Sequence, residues 1–205
     1  MIESHTHFPP EGYAGPKFDR IKLFDDPDGD GKRDRVRVFH EGTIKSMCSA
    51  IGRDDSVYVA MPAAIIRLKD TDGNDVADQT ETVVSLDTKA DYPHNGLSGL
   101  LLEEGDGKPG TLTFGLGENF GDSYVLSGSD GSKQVGGGEG GNIFKCSPDG
   151  SKLERIATGF WNPFGICRAD QQVRQYAVRW AAETGDKSLL LMTEKTKIYG
   201  NGDKP

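Results

Sequence analysis

Short runs of alternating apolar and polar residues, separated by turn-forming residues, dominate the first 168 positions of the chain. The clearest runs lie at 18–24, 36–39, 57–60 and 65–68. A period of two places alternate side chains on one face, which is typical of half-buried β-strands. Because turn signals recur about every 8–12 residues between these runs, the pattern predicts an all-β fold.

One strand–turn–strand unit is repeated along the chain. Asp26 lies in the segment LFDDPDGDGKRD, and Asp70, 44 positions later, lies in RLKDTDGNDVAD. A weaker third copy, IFKCSPDG at 143–150, is followed by an apolar run at 153–156. A repeat in the low forties is typical of the blades of a β-propeller. A β-sandwich is the alternative architecture.

The number of repeats is small for a complete propeller. Residues 16–168 hold about three to four units, whereas a closed propeller has at least about four blades. A partial ring would leave sheet edges exposed, and exposed edges promote aggregation. We therefore expect a partial β-propeller of about three to four blades that belongs to a larger protein.

The two ends of the chain differ in character from this repeat. We expect residues 1–15 to form a flexible arm, in which His5 and His7 are solvated rather than metal ligands. Residues 169–205 form a divergent tail with a predicted helix over 171–184. That tail is either a cap on the open sheet edge or out-of-frame sequence after a frameshift. Helical spacing is shown by Val173, Tyr176, Ala177, Trp180 and Ala181.

Charge and cysteine content narrow the classes of function. The net charge of −8 argues against nucleic acid as a partner, because affinity for the phosphate backbone comes from Lys and Arg. No apolar run reaches about 18 residues, so we expect no membrane span. Cys48, Cys146 and Cys167 are too far apart for a CxxC motif, which argues against a zinc site. The N-terminus lacks the basic and apolar regions of a secretory signal.

Two Asp-rich turns have the residue spacing of calcium-binding loops. Calcium takes about six to eight oxygen ligands, which alternate residues of a tight loop can supply. Gly31 occupies the sixth position of the first loop, whereas Asp75 stands there in the second. The alternative is a metal-free turn in which each Asp binds its own backbone. The candidate ligands are Asp26, Asp28, Asp30, Asp34, Asp70, Asp72, Asn74, Asp78 and Glu81.

Several motifs follow one another in an order that points to a family. They are the two Asp-rich hairpins, YPHNGL at 92–97, GE at 117–118, NIFKCSPDG at 142–150 and GFWNPFG at 159–165. Together they resemble the sorbosone dehydrogenase-like family, whose members are relatives of the soluble quinoprotein sugar dehydrogenases. The resemblance spans roughly residues 16–168. It implies a six-bladed propeller within a larger exported protein, in the periplasm or outside the cell.

The resemblance also implies an activity and the residues for it. The reaction would be oxidation of an aldose or sugar aldehyde with pyrroloquinoline quinone (PQQ) and calcium, and a haem or cytochrome domain would accept the electrons. His94 would act as the general base and Glu118 would orient it, since an imidazole has a pKa near working pH. Asn162 matches the Asn of the family's Arg-Asn-Pro motif. Trp161 replaces the Arg, so it could stack on a flat cofactor but could not form a charged clamp.

Two other functions compete with the dehydrogenase. One is a non-catalytic, calcium-stabilised binding or scaffold module of a larger haem-binding protein, which the acidic hairpins and the missing Arg favour. The other is a truncated product without independent function, which the divergent tail favours.

Overall fold

The computed structural model describes residues 1–91, 95–105, 108–169, 174–179 and 189–192. These residues contain sixteen β-strands and no α-helix, so none of the described chain is a helix long and apolar enough to cross a membrane. The strands are β1 (Ile2–Glu3), β2 (Asp19–Asp25), β3 (Arg35–Thr43), β4 (Cys48–Ile51), β5 (Val57–Met61), β6 (Ala64–Lys69), β7 (Gln79–Thr88), β8 (Leu97–Gly105), β9 (Lys108–Leu116), β10 (Tyr124–Gly128), β11 (Lys133–Gly136), β12 (Gly141–Cys146), β13 (Glu154–Phe160), β14 (Pro163–Ala169), β15 (Arg174–Arg179) and β16 (Leu189–Met192).

Four antiparallel sheets follow one another along the chain, which confirms the predicted all-β class. Sheet 1 has the order β1-β2-β3, sheet 2 β11-β10-β7-β6-β5-β4, sheet 3 β13-β12-β9-β8 and sheet 4 β14-β15-β16. No sheet closes into a barrel within the described ranges. The repeated units of the sequence are the hairpins β2–β3, β6–β7 and β12–β13, one in each of the first three sheets.

The core lies between the sheets. Strand β5 is buried on both faces: Val59 packs with Ile21 and Phe39 from sheet 1, and Tyr58 packs in the cluster that contains Phe114 and Phe144 from sheet 3. A third, smaller cluster joins sheet 3 to sheet 4. Face-to-face packing of successive sheets is what a propeller requires, and the propeller itself stays a prediction.

One hairpin leaves its own sheet. β10 and β11 lie between β9 and β12 in the sequence, but β10 pairs with β7, so the hairpin extends sheet 2. The chain therefore leaves sheet 3 after β9, adds a hairpin to sheet 2 and returns to sheet 3 at β12. At the other edge, β8 contacts both β4 and β14, so the first strands of sheets 2, 3 and 4 lie together.

The helix predicted over 171–184 is wrong for the described part of that segment. Residues Arg174–Arg179 form β15, which is antiparallel to β14 and also pairs with β16. A short isolated helix is marginal in water, whereas pairing with the edge of β14 supplies interstrand hydrogen bonds. The positions 170–173 and 180–184 lie outside the described residues.

The segment 1–15, for which we expected a flexible arm, makes specific contacts in its first half. β1 pairs with β2. The backbone N–H groups of His5 and Thr6 donate to the carboxylate of Asp19, at 2.6 and 2.9 Å. The ring of His5 is also hydrogen-bonded, with Nδ1 3.0 Å from the hydroxyl of Tyr13. These contacts hold the arm against sheet 1.

Candidate functional site

Four buried asparagines mark one edge of sheet 3, and we call them the asparagine junction. In the strand register Leu97, Leu116 and Asn142 lie side by side, so the start of β8, the end of β9 and the start of β12 share this edge. The loops from β7, β9 and β13 all arrive there. Each asparagine of the junction is at most 6% exposed, and the four are Asn95, Asn119, Asn142 and Asn162.

Main-chain hydrogen bonds fasten the three loops to one another. The N–H of Gly117 donates to the carbonyl of Gly96 at 3.2 Å. The next N–H, that of Glu118, donates to the carbonyl of Trp161 at 2.7 Å and approaches Asn162 Oδ1 at 3.3 Å. The packing at Gly117 is so close that a Cβ there would lie 2.7 Å from Asn95 Cα. The site therefore requires glycine at 117 for steric reasons.

Glu118 presents an unusual carboxylate at this junction. Its Oε2 is buried and has no hydrogen-bond partner among the described residues. A buried oxygen with no donor costs free energy, of the order of 1–3 kcal/mol. The nearby Asn95 Nδ2 and Asn142 Oδ1 are in the same condition, so the junction holds both donors and acceptors for an incoming polar group.

Two exposed aromatic rings lie on the loops that carry Glu118 and Asn162. Phe120 and Trp161 pack edge to face with ring centroids 6.4 Å apart, and both are exposed by more than two fifths. Phe120 has a φ of +51°, an uncommon conformation for a residue other than glycine. The rings add an exposed apolar surface to the loops of the junction.

The four site residues implied by the resemblance have different outcomes. Glu118, Asn162 and Trp161 are brought together by the main-chain contacts above. Asn162 is buried and directed to the N–H of Glu118. His94 lies outside the described residues, and its sequence neighbour Asn95 contacts Gly117. The role of His94 stays a prediction.

A cleft opens on the sheet 2 side of the junction. Its volume is about 120 Å³, and its polar lining comes from Lys45, Thr88, Asp91, Asn95 and Asn119. Asn119 is fixed there because its Nδ2 donates to Thr88 Oγ1 at 2.8 Å and to the carbonyl of Asp122 at 2.9 Å.

The sequence analysis missed Asn95, Asn119, Asn142 and Lys45. Asn95 and Asn142 lie next to glycines, and Asn beside Gly indicates a turn and nothing more. Their meeting depends on strand pairing between distant segments, which no local pattern reveals.

The first acidic loop, between β2 and β3, folds around one carboxylate. Asp26 accepts hydrogen bonds from the backbone N–H groups of Gly31, Gly29 and Asp30. The bond from Gly31, with those from Gly29 and Asp30, holds the pKa of Asp26 below its usual value. Ligand atoms of Asp26, Asp28 and Asp30 lie within 4.8 Å of one another.

The second loop, between β6 and β7, repeats this arrangement. Asp70 accepts from Gly73, Asn74 and Asp75, at the same offsets as in the first loop. Asp75 adopts a φ of +68° at the position where the first loop has glycine. Ligand atoms of Asp70, Asp72 and Asp78 lie within 4.8 Å of one another.

Three of the predicted calcium ligands lie outside these groups. Asp34 is not part of the first carboxylate group, and Glu81 forms an ion pair with Arg67 at 3.6 Å. Asn74 turns its Oδ1 to the N–H of Val76.

Arg37, at the twelfth position of the first loop, pairs with Asp25 and with Asp75, so it joins the two loops. Both loops lie at the opposite end of their strands from the asparagine junction.

The fold and the site define an all-β protein with four packed antiparallel sheets and a buried amide junction at one sheet edge. The chain belongs to the DUF7133 family, a domain of unknown function, whose model matches residues 3–193. No curated protein and no solved structure matches the chain.

Proposed function

We propose that the asparagine junction recognises a small sugar or sugar aldehyde and that the protein is dehydrogenase-like. The observation that carries this proposal is Glu118 Oε2, a buried acceptor without a donor among the described residues. A sugar hydroxyl would donate to this oxygen and remove the cost of its desolvation. Because such an oxygen is unfavourable in the free protein, a ligand hydroxyl that donates to it would be favoured.

The surroundings of Glu118 also suit a sugar. Small-molecule sites combine apolar walls with a few polar groups that fix orientation. Phe120 and Trp161 supply exposed ring surface, and Asn142 Oδ1 supplies a second unpaired acceptor. Every hydroxyl of a sugar can both donate and accept, so it matches carboxylate and amide groups at once.

The oxidation itself rests on the resemblance. His94 is the proposed base, and Glu118 would orient it through the carboxylate oxygen that the sugar does not use. A haem or cytochrome domain as electron acceptor and a periplasmic or extracellular location belong to the same proposal. The competing proposal of a non-catalytic binding module shares the sugar site and lacks the redox step.

PQQ fits the described residues only in part. When bound, it would accept two electrons and a proton from the substrate, and its three carboxylates need cationic partners. Trp161 offers a ring for stacking, but it stands where the sorbosone dehydrogenase-like family has Arg. In the part of the chain that the structure describes, the cleft beside the junction contributes one cation, Lys45, which pairs with Asp91. One paired cation does not match three carboxylates, so we assign no oxidation step through PQQ.

The variant Glu118→Gln tests the sugar site. We expect calorimetric titration of the full chain with aldoses to show at least about a tenfold loss of affinity, because a charge-assisted hydrogen bond is worth about 1.5–3 kcal/mol. The melting temperature should stay equal or rise, since the variant removes a buried charge without a partner.

Glu154→Gln is the matched control, because Glu154 is exposed and pairs with Lys145 on the surface. Its sugar affinity should equal that of the parent chain. A parent chain that binds no aldose, or a Glu118→Gln variant that binds as well as the parent, would overturn the proposal.

We propose calcium binding at the two acidic loops as a second function. In each loop three carboxylates bring one oxygen each within 4.8 Å of one another, and Asp26 and Asp70 accept matching backbone hydrogen bonds. Calcium prefers such oxygen ligands. The ion would then serve stability, since both loops lie away from the junction.

Calcium is expected to raise the melting temperature of the chain. A ligand at ten times its Kd stabilises the native state by ~1.4 kcal/mol for each occupied loop, which for about 200 residues corresponds to roughly 3–6 °C per loop. The double variant Asp26→Asn and Asp70→Asn should lose this shift, and Asp87→Asn, at an exposed strand position, should keep it. Equal melting temperatures in the presence of calcium and in the presence of a chelator would refute the calcium sites.

A further inference from the structure

The cleft beside the junction contains an unpaired donor that the proposed sugar contact does not use. Asn95 is 4% exposed, lines the cleft, and its Nδ2 has no hydrogen-bond partner within the described ranges. A buried amide donor without an acceptor is as costly as a buried acceptor without a donor. The cleft therefore needs a ligand that brings an acceptor atom.

Lys45 supplies a second donor and a positive charge. It is one-third exposed, and its Nζ lies 3.7 Å from Asp91 Oδ1. Asp91 is 93% exposed, so this ion pair is solvated and weak, typically about 0–1 kcal/mol. An incoming anion can replace Asp91 at the ammonium group without a large penalty.

The backbone around Lys45 is held in place before any ligand arrives. Its φ is +51°, which is unfavourable for lysine and needs support from its surroundings. The support is a hydrogen bond from the Lys45 N–H to Thr6 Oγ1 at 2.6 Å. Thr6 is itself fixed by Asp19. Strain at a cleft residue with this support is typical of a pre-organised binding position.

The size and walls of the cleft limit what can enter. Its volume of about 120 Å³ has room for a few heavy atoms. Pro62, Ala63, Leu86 and Ala90 form the apolar wall of the cleft. A single cation beside an aspartate disfavours a dianion such as phosphate, because the second negative charge would find no partner. A singly charged carboxylate on a short carbon chain matches both the donors and the wall.

We propose that this cleft binds the carboxylate of a sugar acid, with Lys45 and Asn95 as donors to its two oxygens. The inference rests on the proposed function, because a sugar acid is what oxidation of a sugar aldehyde yields and the rest of the molecule would reach the junction. The cleft would then distinguish acidic from neutral sugars.

Calorimetric titration of the full chain with sodium gluconate and with glucose, at equal ionic strength, tests the inference. We expect gluconate to bind about tenfold more tightly than glucose, because a carboxylate forms charge-assisted hydrogen bonds. Lys45→Met should weaken gluconate binding about tenfold. Lys89→Met, at an exposed position, is the matched control and should leave gluconate binding unchanged. Asn95→Ala should weaken gluconate binding as well. If Asn95→Ala does not fold, the gluconate affinity of Lys45→Met alone decides whether the subsite exists.

The outcomes separate this inference from the proposed function. If gluconate binds through Lys45 and no aldose binds, the sugar proposal fails and the carboxylate subsite stands. If glucose binds through Glu118 and gluconate binds no more tightly, the subsite is overturned and the sugar proposal stands. If gluconate does not bind, or if Lys45→Met and Lys89→Met behave alike, the inference is wrong.

Discussion

Replacement of Asp19 by asparagine is expected to destabilise the fold by about 3 kcal/mol. Asp19 is fully buried, and its carboxylate accepts four hydrogen bonds: from the backbone N–H groups of His5, Thr6 and Ser46, and from the hydroxyl of Thr6. An amide NH₂ in place of either oxygen would face a donor. For about 200 residues the loss corresponds to roughly 6–12 °C in melting temperature.

The same carboxylate should make stability depend on acid pH. Burial alone would raise the pKa of Asp19, but the hydrogen bonds from Ser46, His5 and Thr6 outweigh it and hold the pKa below the usual value. A lowered native pKa contributes stability above the unfolded pKa of about 3.9, and that contribution is lost as the pH falls through the native pKa. The difference in stability between the parent chain and Asp19→Asn should therefore narrow as the pH falls below about 3.9.

Denaturant unfolding at pH 7 and at low pH measures both effects. Asp122→Asn is the control, because Asp122 is exposed. A destabilisation of Asp19→Asn no larger than that of Asp122→Asn, or a gap between parent and variant that does not narrow with acid, would contradict this account of the N-terminal arm.

Replacement of Gly117 by alanine is expected to damage the junction and the sugar site together. The new Cβ would meet Asn95 Cα at 2.7 Å and would lie still closer to Asn162 Oδ1. Because the first of these is a backbone atom, the loops must move apart. Overpacking of this kind costs about 1–3 kcal/mol. The displacement of Glu118 should reduce sugar affinity more than about tenfold, since small misplacements of binding groups have large effects.

Gly165→Ala is the matched control for this steric effect. No atom lies within 4 Å of a Cβ built at Gly165, and its φ is not in the left-handed region. We expect this variant to keep the melting temperature and sugar affinity of the parent chain. If Gly117→Ala behaves like Gly165→Ala in both measurements, the junction is not the close contact that the structure shows.

The hairpins could be predicted from the sequence because their signals are local. The Asp-rich turns and the alternating runs around Asp26 and Asp70 specify a strand, a turn and a returning strand without help from distant residues. The structure has each of these strands where the pattern indicates it. The carboxylate groups of the loops follow from the same spacing, because the backbone of a tight turn determines where its side chains meet.

The tail and the junction could not be predicted, because distant contacts decide them. The spacing of Tyr176 and Ala177 suits a helix, but β14 offers these residues an open strand edge. Asn95 and Asn162 are separated by the three strand pairs of sheet 3 and meet only after those pairs form. Arg37, which interrupts the calcium pattern in the sequence, is in the structure an ion-pair partner of Asp25 and Asp75.

A crystal structure of the full chain with a bound aldose tests the central claim most directly. We predict a sugar hydroxyl at hydrogen-bond distance, about 2.5–3.0 Å, from Glu118 Oε2, with the sugar ring against Phe120 and Trp161. Electron density for the sugar elsewhere on the molecule, or a junction that holds no sugar at saturating concentration, would contradict the account.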